Sequence, residues 1–286
     1  MSAADRGLPV WSPRAARVVE REVHRRQVGG PASAAAPVVD QIVVEEPLEI
    51  RIGGDSLVVT MRTPGDDLDL AAGFLFTEGV IATPDDVATI AHTADDGPDA
   101  GNIVVVTPRA DRPLRVADAR RIIRATAACG LCGKENIAAV RRRIARLTSD
   151  ARVSLRTLAT LPDAVRAAQP VFDATGGLHA VGLFQLDGTL IVAKEDVGRH
   201  NAVDKVLGHQ LLQGRRQFAD TMMMVSGRAG FEIVQKAAVA GVPIVGAVSA
   251  PSSLAVDLAR DVGMTLVGFV RGASANVYSH AFRVGA

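Results

Sequence analysis

Apolar and polar positions alternate through residues 38–62, where Leu48-Glu49-Ile50-Arg51-Ile52 and Leu57-Val58-Val59-Thr60-Met61 flank Gly53-Gly54-Asp55. Period-two alternation interrupted by glycine predicts a β-hairpin, because alternate side chains of a strand face opposite sides. Asp66 stands where it can cap a helix reaching about Phe76, with Gly79 just past its end. Residues 85–101 are acidic and rich in turn formers and read as a loop, whereas Ile103-Val104-Val105-Val106 reads as a strand. A helical stretch is expected over 117–125. Ala128-Cys129-Gly130-Leu131-Cys132-Gly133 follows, then a helix over about 135–147, with 148–170 as a link to the second half.

The second half has a clearer rhythm. Apolar runs over 181–186 and 190–193 flank Asp187-Gly188, a strong hairpin signal. A helix is expected over about 198–212, with Asp196 as its N-cap. A strand–loop–helix unit then recurs. Met222-Met223-Met224-Val225 leads into a helix over 231–240, and Ile244-Val245-Gly246-Ala247-Val248 into one over 254–260. The helices are stopped by Gly241 and Gly263, and the strand Thr265-Leu266-Val267-Gly268-Phe269 follows. Strands alternating with helices of this length pair in parallel through right-handed crossovers. The expected fold is therefore α/β: a three-layer αβα mixed sheet opening with one antiparallel hairpin, with a smaller N-terminal α+β subdomain. The expected divisions are a flexible basic tail over 1–36, the subdomain over 37–128, a cysteine loop over 129–135 and the α/β domain over 136–286.

Composition narrows the function. The hydrophobic share is 48%, enough for a sizeable core, while 32 Lys+Arg against 31 Asp+Glu leave a net charge of +1. With aromatics at 3%, neither a basic surface nor a base-stacking surface points to nucleic acid as a partner. No apolar run approaches the length of a membrane helix, and no signal-peptide core is present, so a membrane is not expected as a partner. Two cysteines in a chain of this length do not make a disulfide framework, which points to a reducing cytoplasm.

In open α/β sheets ligands bind beyond the carboxyl ends of the strands. Three successive strands here end in Ser226-Gly227-Arg228, Ser249-Ala250-Pro251-Ser252-Ser253 and Arg271-Gly272-Ala273-Ser274. Small residues let a ligand approach the backbone, helix starts favour anions, and Arg228 and Arg271 add charge for phosphate. Ser226, Arg228 and Ser249 are thus candidate ligand contacts, although Gly and Ser are also ordinary turn residues. Glu195 to Lys205 opens a further helix at this edge. In it Asp196, His200 and Asp204 fall at i, i+4 and i+8 and so neighbour one another. His200 is either an acid-flanked proton-transfer group or part of a structural network, and His179 reads as a structural loop histidine.

The cysteine pair admits several readings. Closed zinc sites take four ligands, usually Cys and His. Only one C-x-x-C is present, and the six histidines form no H-x₃₋₅-H unit, so no metal is expected. A C-x-x-C at a helix start favours thiolate, as in dithiol oxidoreductases, but the segment before Cys129 reads as helix rather than strand. A thiolate in a glycine-rich loop also suits sulfur carriage through a persulfide, which is a reversible cysteine state.

Several segments together resemble one family. They are Gly73-Phe74-Leu75-Phe76-Thr77-Glu78-Gly79, Cys129-Gly130-Leu131-Cys132-Gly133, Glu195 through Lys205, Val225-Ser226-Gly227-Arg228, Ala247 through Ala255 and Leu266-Val267-Gly268-Phe269. The chain is similar over about residues 38–284 to the FdhD family of formate dehydrogenase accessory sulfurtransferases. The resemblance implies a cytoplasmic homodimer with a cytidine-deaminase-like fold. It also implies that sulfur is taken from a cysteine desulfurase and passed to the molybdenum bis-molybdopterin guanine dinucleotide cofactor for formate dehydrogenase. The family's persulfide cysteine carries over to Cys129, with Cys132 as its partner. Its cofactor-binding stretch carries over to Phe269, Val270, Arg271, Gly272, Ala273 and Ser274. The zinc ligands of the deaminases have no counterpart at Glu195–His200 or Ser226–Gly230. Two rivals remain: a non-catalytic chaperone for the cofactor and a C-x-x-C dithiol oxidoreductase.

Overall fold

A computed structural model of the chain describes residues 16–26, 28, 36–94, 97, 99–112, 114 and 144–285. Cys129 and Cys132, the helix expected over 117–125 and most of the one expected over 135–147 lie outside the described residues. Residues 144–147 carry no regular structure.

The larger sheet holds β8 (His179–Gln185), β9 (Leu190–Asp196), β10 (Thr221–Val225), β11 (Ile244–Ala247), β12 (Thr265–Arg271) and β13 (Ser274–Ser279), in the order β9-β8-β10-β11-β12-β13. Strands β10, β11 and β12 are parallel, while β8, β9 and β13 are antiparallel to their neighbours. Every residue of β10 is buried, as its unbroken apolar run requires of a strand covered on both faces. Val181, Met223, Val225, Val245 and Leu266 face α4 (Arg199–Leu212), α5 (Phe231–Ala240) and α6 (Ser253–Val262). Ala180, Met222, Met224, Ile244 and Val267 face α2 (Leu155–Ala167) through Leu158, Leu161 and Val165. Helices therefore cover both faces, and Gly241 and Gly263 end α5 and α6 in the left-handed conformation.

The stretch 148–170 is not a mere link. It contains β7 (Val153–Ser154), which pairs in parallel with β14 (Val284–Gly285), and α2, whose N-cap Ser154 accepts a hydrogen bond from the Thr157 amide at 2.9 Å. Helix α3 (Pro170–Thr175) follows.

A second sheet, ordered β4-β3-β6-β5, comprises β3 (Glu46–Ile52), β4 (Asp55–Arg62), β5 (Val87–His92) and β6 (Ile103–Pro108). The predicted hairpin is β3–β4, turning at Gly53, where φ is +61°. The expected loop over 85–101 instead contains β5, an edge strand paired antiparallel with β6. The expected tail over 1–36 contains β1 (Val18–Val23), which pairs with β2 (Val38–Val43), so these residues are ordered by backbone pairing despite their arginines. Asp66 is the N-cap residue of α1 (Asp67–Thr77), its carbonyl accepting from Leu70 N, but its side chain makes no capping bond. Its φ is +58°, and its carboxylate meets Lys194 Nζ at 2.7 Å.

The two sheets share one core, which runs from Leu48 and Ile50 through α1 and α4 to Leu266. The α1–α4 approach depends on two glycines. A Cβ at Gly73 would overlap the Asp204 carbonyl, and one at Gly208 would overlap the Asp69 carbonyl. Buried ion pairs complete the joint. Lys205 Nζ lies 2.8 Å from Asp196, both side chains wholly buried, and donates to the Thr63 carbonyl at 2.9 Å. Lys236 Nζ lies 2.8 Å from Asp204 and donates to Thr77 Oγ1 at 2.9 Å. Burial opposes the charge of Lys236, but Asp204 and Glu78 hold its pKa above the usual lysine value.

Two stability outcomes follow from this joint. Gly73→Ala must push α1 off α4 and is expected to destabilise by ~3 kcal/mol, the upper range for overpacking, as measured by urea unfolding. Lys205→Met leaves Asp196 charged and unpaired inside the core. The expected loss is about 3–5 kcal/mol, partly recovered when Asp196→Asn is added.

Candidate functional site at the strand-end edge

The parallel run of β10, β11 and β12 brings their carboxyl ends to one edge. The antiparallel neighbours add the first residue of β8, His179, and the last of β9, Asp196. The loops at this edge are knitted together through backbone groups. Ser226 N donates to the Ala180 carbonyl and Ser226 Oγ accepts from Ala180 N, both at 2.9 Å. Val248 N donates to Val225 O at 3.2 Å, Ser252 N to Ala229 O at 3.1 Å and Phe269 N to Ser249 O at 3.2 Å. Arg271 Nε donates to the Val248 carbonyl at 3.1 Å.

The segment after β12 differs from the other loops. Arg271 pairs with Ser274, so Gly272 and Ala273 form a hairpin turn into β13 instead of opening a helix. Gly272 carries φ of +52°, as does Phe269, where a bulky side chain makes that conformation strained. Phe269 is nevertheless 38% exposed. Gly268 makes this possible: a Cβ there would come within 2.9 Å of Pro251 Cδ and 3.1 Å of the Ser249 carbonyl. Val270 is wholly buried in the α2-side core, so its side chain is turned away from the edge.

The acidic neighbours expected for His200 have other partners. Asp196 accepts from Gly198 N at 2.8 Å and Asn201 Nδ2 at 2.9 Å and pairs with Lys205. Asp204 pairs with Lys236. The carboxylate beside His200 is Glu232, on the first turn of α5, 2.7 Å from Nε2. No sequence signal marks that pair, because it forms between two helices whose relative placement is set by the core. Glu195 turns to α3, accepting from Val171 N at 3.2 Å and Phe172 N at 2.8 Å.

His179, expected to be structural, opens onto a cleft of about 560 Å³ between the edge and α2–α3. Val165, Phe172, Leu178 and Met224 give it apolar walls, and Asp163, Gln169, Ser226 and His179 give it polar groups. Burial pushes the His179 imidazole below its ordinary value of 6.5. Arg199, His200 and Arg228 act in the same direction and Asp196 opposes them. Among the described residues no cluster of three His, Cys, Asp or Glu is arranged to hold a metal ion, and no helix is long and apolar enough to cross a membrane.

The protein of Mycolicibacterium paratuberculosis named sulfur carrier protein FdhD is 50% identical over 251 residues, covering 86% of this chain and 92% of the relative. The protein of the same name from Streptomyces avermitilis is 50% identical over 275 residues, covering 94% and 96%. A crystal structure from Desulfotalea psychrophila, described as a formate dehydrogenase accessory protein, aligns with a TM-score of 0.74 at 25% identity, covering 94% of this chain and 100% of that one. The sequence model of the FdhD/NarQ family matches residues 43–285, and the chain belongs to that family.

Proposed function

We propose that this protein is a cytoplasmic sulfur carrier, working as a homodimer. It takes sulfur from a cysteine desulfurase onto Cys129 and delivers it to the molybdenum bis-molybdopterin guanine dinucleotide cofactor during maturation of formate dehydrogenase. The observation that carries this reading is 50% identity over most of the chain with proteins named as sulfur carriers. The likeness to a formate dehydrogenase accessory protein supports the choice of client. The order β9-β8-β10-β11-β12, antiparallel at its start and then parallel, supports the cytidine-deaminase-like layering.

In this reading the Cys129 thiolate attacks the outer sulfur of the donor's persulfide. A new S–S bond forms on Cys129, the donor's S–S bond breaks and the donor leaves as thiolate. Cys132 then attacks Cys129, a disulfide forms and hydrosulfide is released to the acceptor; a cellular dithiol afterwards reduces the disulfide. The acceptor docks at the strand-end edge. There Ser226, Ser249, Arg228, His200 and the exposed Phe269 surround the loops, the 269–274 turn offers backbone groups, and the neighbouring cleft has room for one nucleotide arm.

Intact mass spectrometry after incubation with a cysteine desulfurase and cysteine tests the carrier step. Wild type is expected to gain ~32 Da, one sulfur atom, and Cys129→Ala to gain none at that position. A chain that takes no sulfur on either cysteine but still binds the cofactor would be a chaperone. One that turns over a small disulfide and needs both cysteines would be an oxidoreductase.

A further inference from the structure

Besides Arg271, whose Nε donates to the Val248 carbonyl, two arginines at the edge form no ion pair among the described residues. Arg199 Nε lies 3.4 Å from His200 Nε2 and Arg228 stands exposed on the loop after β10, neither forming an ion pair among the described residues. The nearby acids are engaged elsewhere: Glu232 with His200, Asp196 with Lys205, and Glu195 with the amides of α3. Across the cleft, Arg166 on α2 pairs with Asp173, which leaves Asp163 as the one carboxylate lining it among the described residues. His179 sits within this cationic frame. No hydrogen bond to its ring is formed among the described residues, and a Cβ at Gly227 would come within 3.3 Å of its Nδ1, so the loop that carries Arg228 packs directly against the ring. An uncompensated pair of guanidinium groups beside a half-buried imidazole suits a multiply charged anion of the phosphate or sulfate type.

We propose that His179 couples anion binding at this edge to proton uptake: an anion docking beside Arg199 and Arg228 draws a proton onto the His179 imidazole. This rests on reading the strand-end edge as the ligand site and adds the linkage that governs its affinity. In the free chain burial, Arg199, His200 and Arg228 hold the imidazole below its ordinary value, with Asp196 opposing them. A bound dianion offsets those cations and raises the imidazole's proton affinity. Linkage then requires affinity to rise as pH falls between the two values. The proton comes from solvent, forms an N–H bond to the ring, and no electron is transferred.

Sulfate is the probe, because it stays a dianion throughout the range and any pH dependence belongs to the protein. Isothermal titration of the full chain, in buffers of differing ionisation enthalpy, counts the protons taken up. Wild type is expected to bind with uptake of up to one proton and to weaken by as much as about tenfold per pH unit as pH rises through the interval. His179→Gln is expected to bind sulfate with no uptake and a flat pH profile. Without any substitution, the His179 Cε1 proton resonance is expected to titrate at higher pH when sulfate is present. Binding without uptake, uptake retained in His179→Gln, or an unmoved His179 titration each overturns the coupling alone. Failure of wild type to bind sulfate or pyrophosphate overturns the ligand edge as well, and sulfur loading on Cys129 is tested independently of both.

Discussion

The buried contact between Lys205 and Asp196 sets the geometry on which the edge depends. Neither side chain reaches solvent, and the polar capacity of both is used. Asp196 accepts from the amides of Gly198 and Thr63 and from Asn201, while Lys205 donates to the carbonyls of Thr63 and Glu195. Thr63 follows β4 directly, and its hydroxyl also accepts from Val197 N. The ion pair and its hydrogen bonds thus tie the end of β9, the first two turns of α4 and the exit from the smaller sheet into a single register. A buried pair is a weak source of net stability compared with apolar packing, but it has few alternative arrangements once its hydrogen bonds are counted. Displacing any of the three segments by one residue would strand a charge.

That anchoring lets the loops be built from small residues without becoming loose. Backbone bonds link 226 to 180, 248 to 225, 252 to 229 and 269 to 249, so each strand-end loop is held by its neighbour, with Ser226 Oγ and Arg271 Nε adding side-chain bonds. The left-handed backbone at Phe269 is the strained element of the set. It persists because Gly268 fits beneath Ser249 and Pro251 while Val270 is locked in the core on the other side. The result is an aromatic ring presented outward from a rigid bulge, a conformation that a free loop would abandon.

Elements with a strong local period were legible in the sequence: the β3–β4 and β8–β9 hairpins and the two strand–helix units β10–α5 and β11–α6 all stand where alternation and glycine stops put them. Those with mixed signals were not. Strand β5 carries little apolar weight in an acidic stretch, and its partner β6 supplies the pairing. Helix α2 has apolar positions at Leu155, Leu158, Leu161 and Val165, a proper helical spacing, but Pro162 inside it and arginines around it read as linker. Strand β1 is held by pairing with β2, a contact that pattern in the first segment does not reveal. At the site, the loops could be foreseen because each follows its own strand. The His200–Glu232 pair and the opening of His179 onto the cleft could not, since both arise where separate elements meet.

The charge pattern explains why the edge can be cationic in a chain whose net charge is only +1. The segment from Glu195 to Lys205 contributes three acids and three basic or imidazole groups, a balanced set in sequence. Folding sorts them by direction. Glu195 turns to the start of α3, Asp196 to Lys205 and Asp204 to Lys236, all in the interior, whereas Arg199 and His200 lie in the half-buried first turn of α4. Arg228 then adds charge from the neighbouring loop, and burial together with these groups pushes the His179 imidazole below its ordinary value. Arginines thus gather at the edge of a chain of balanced composition, because the acids of this segment are placed where their partners are buried.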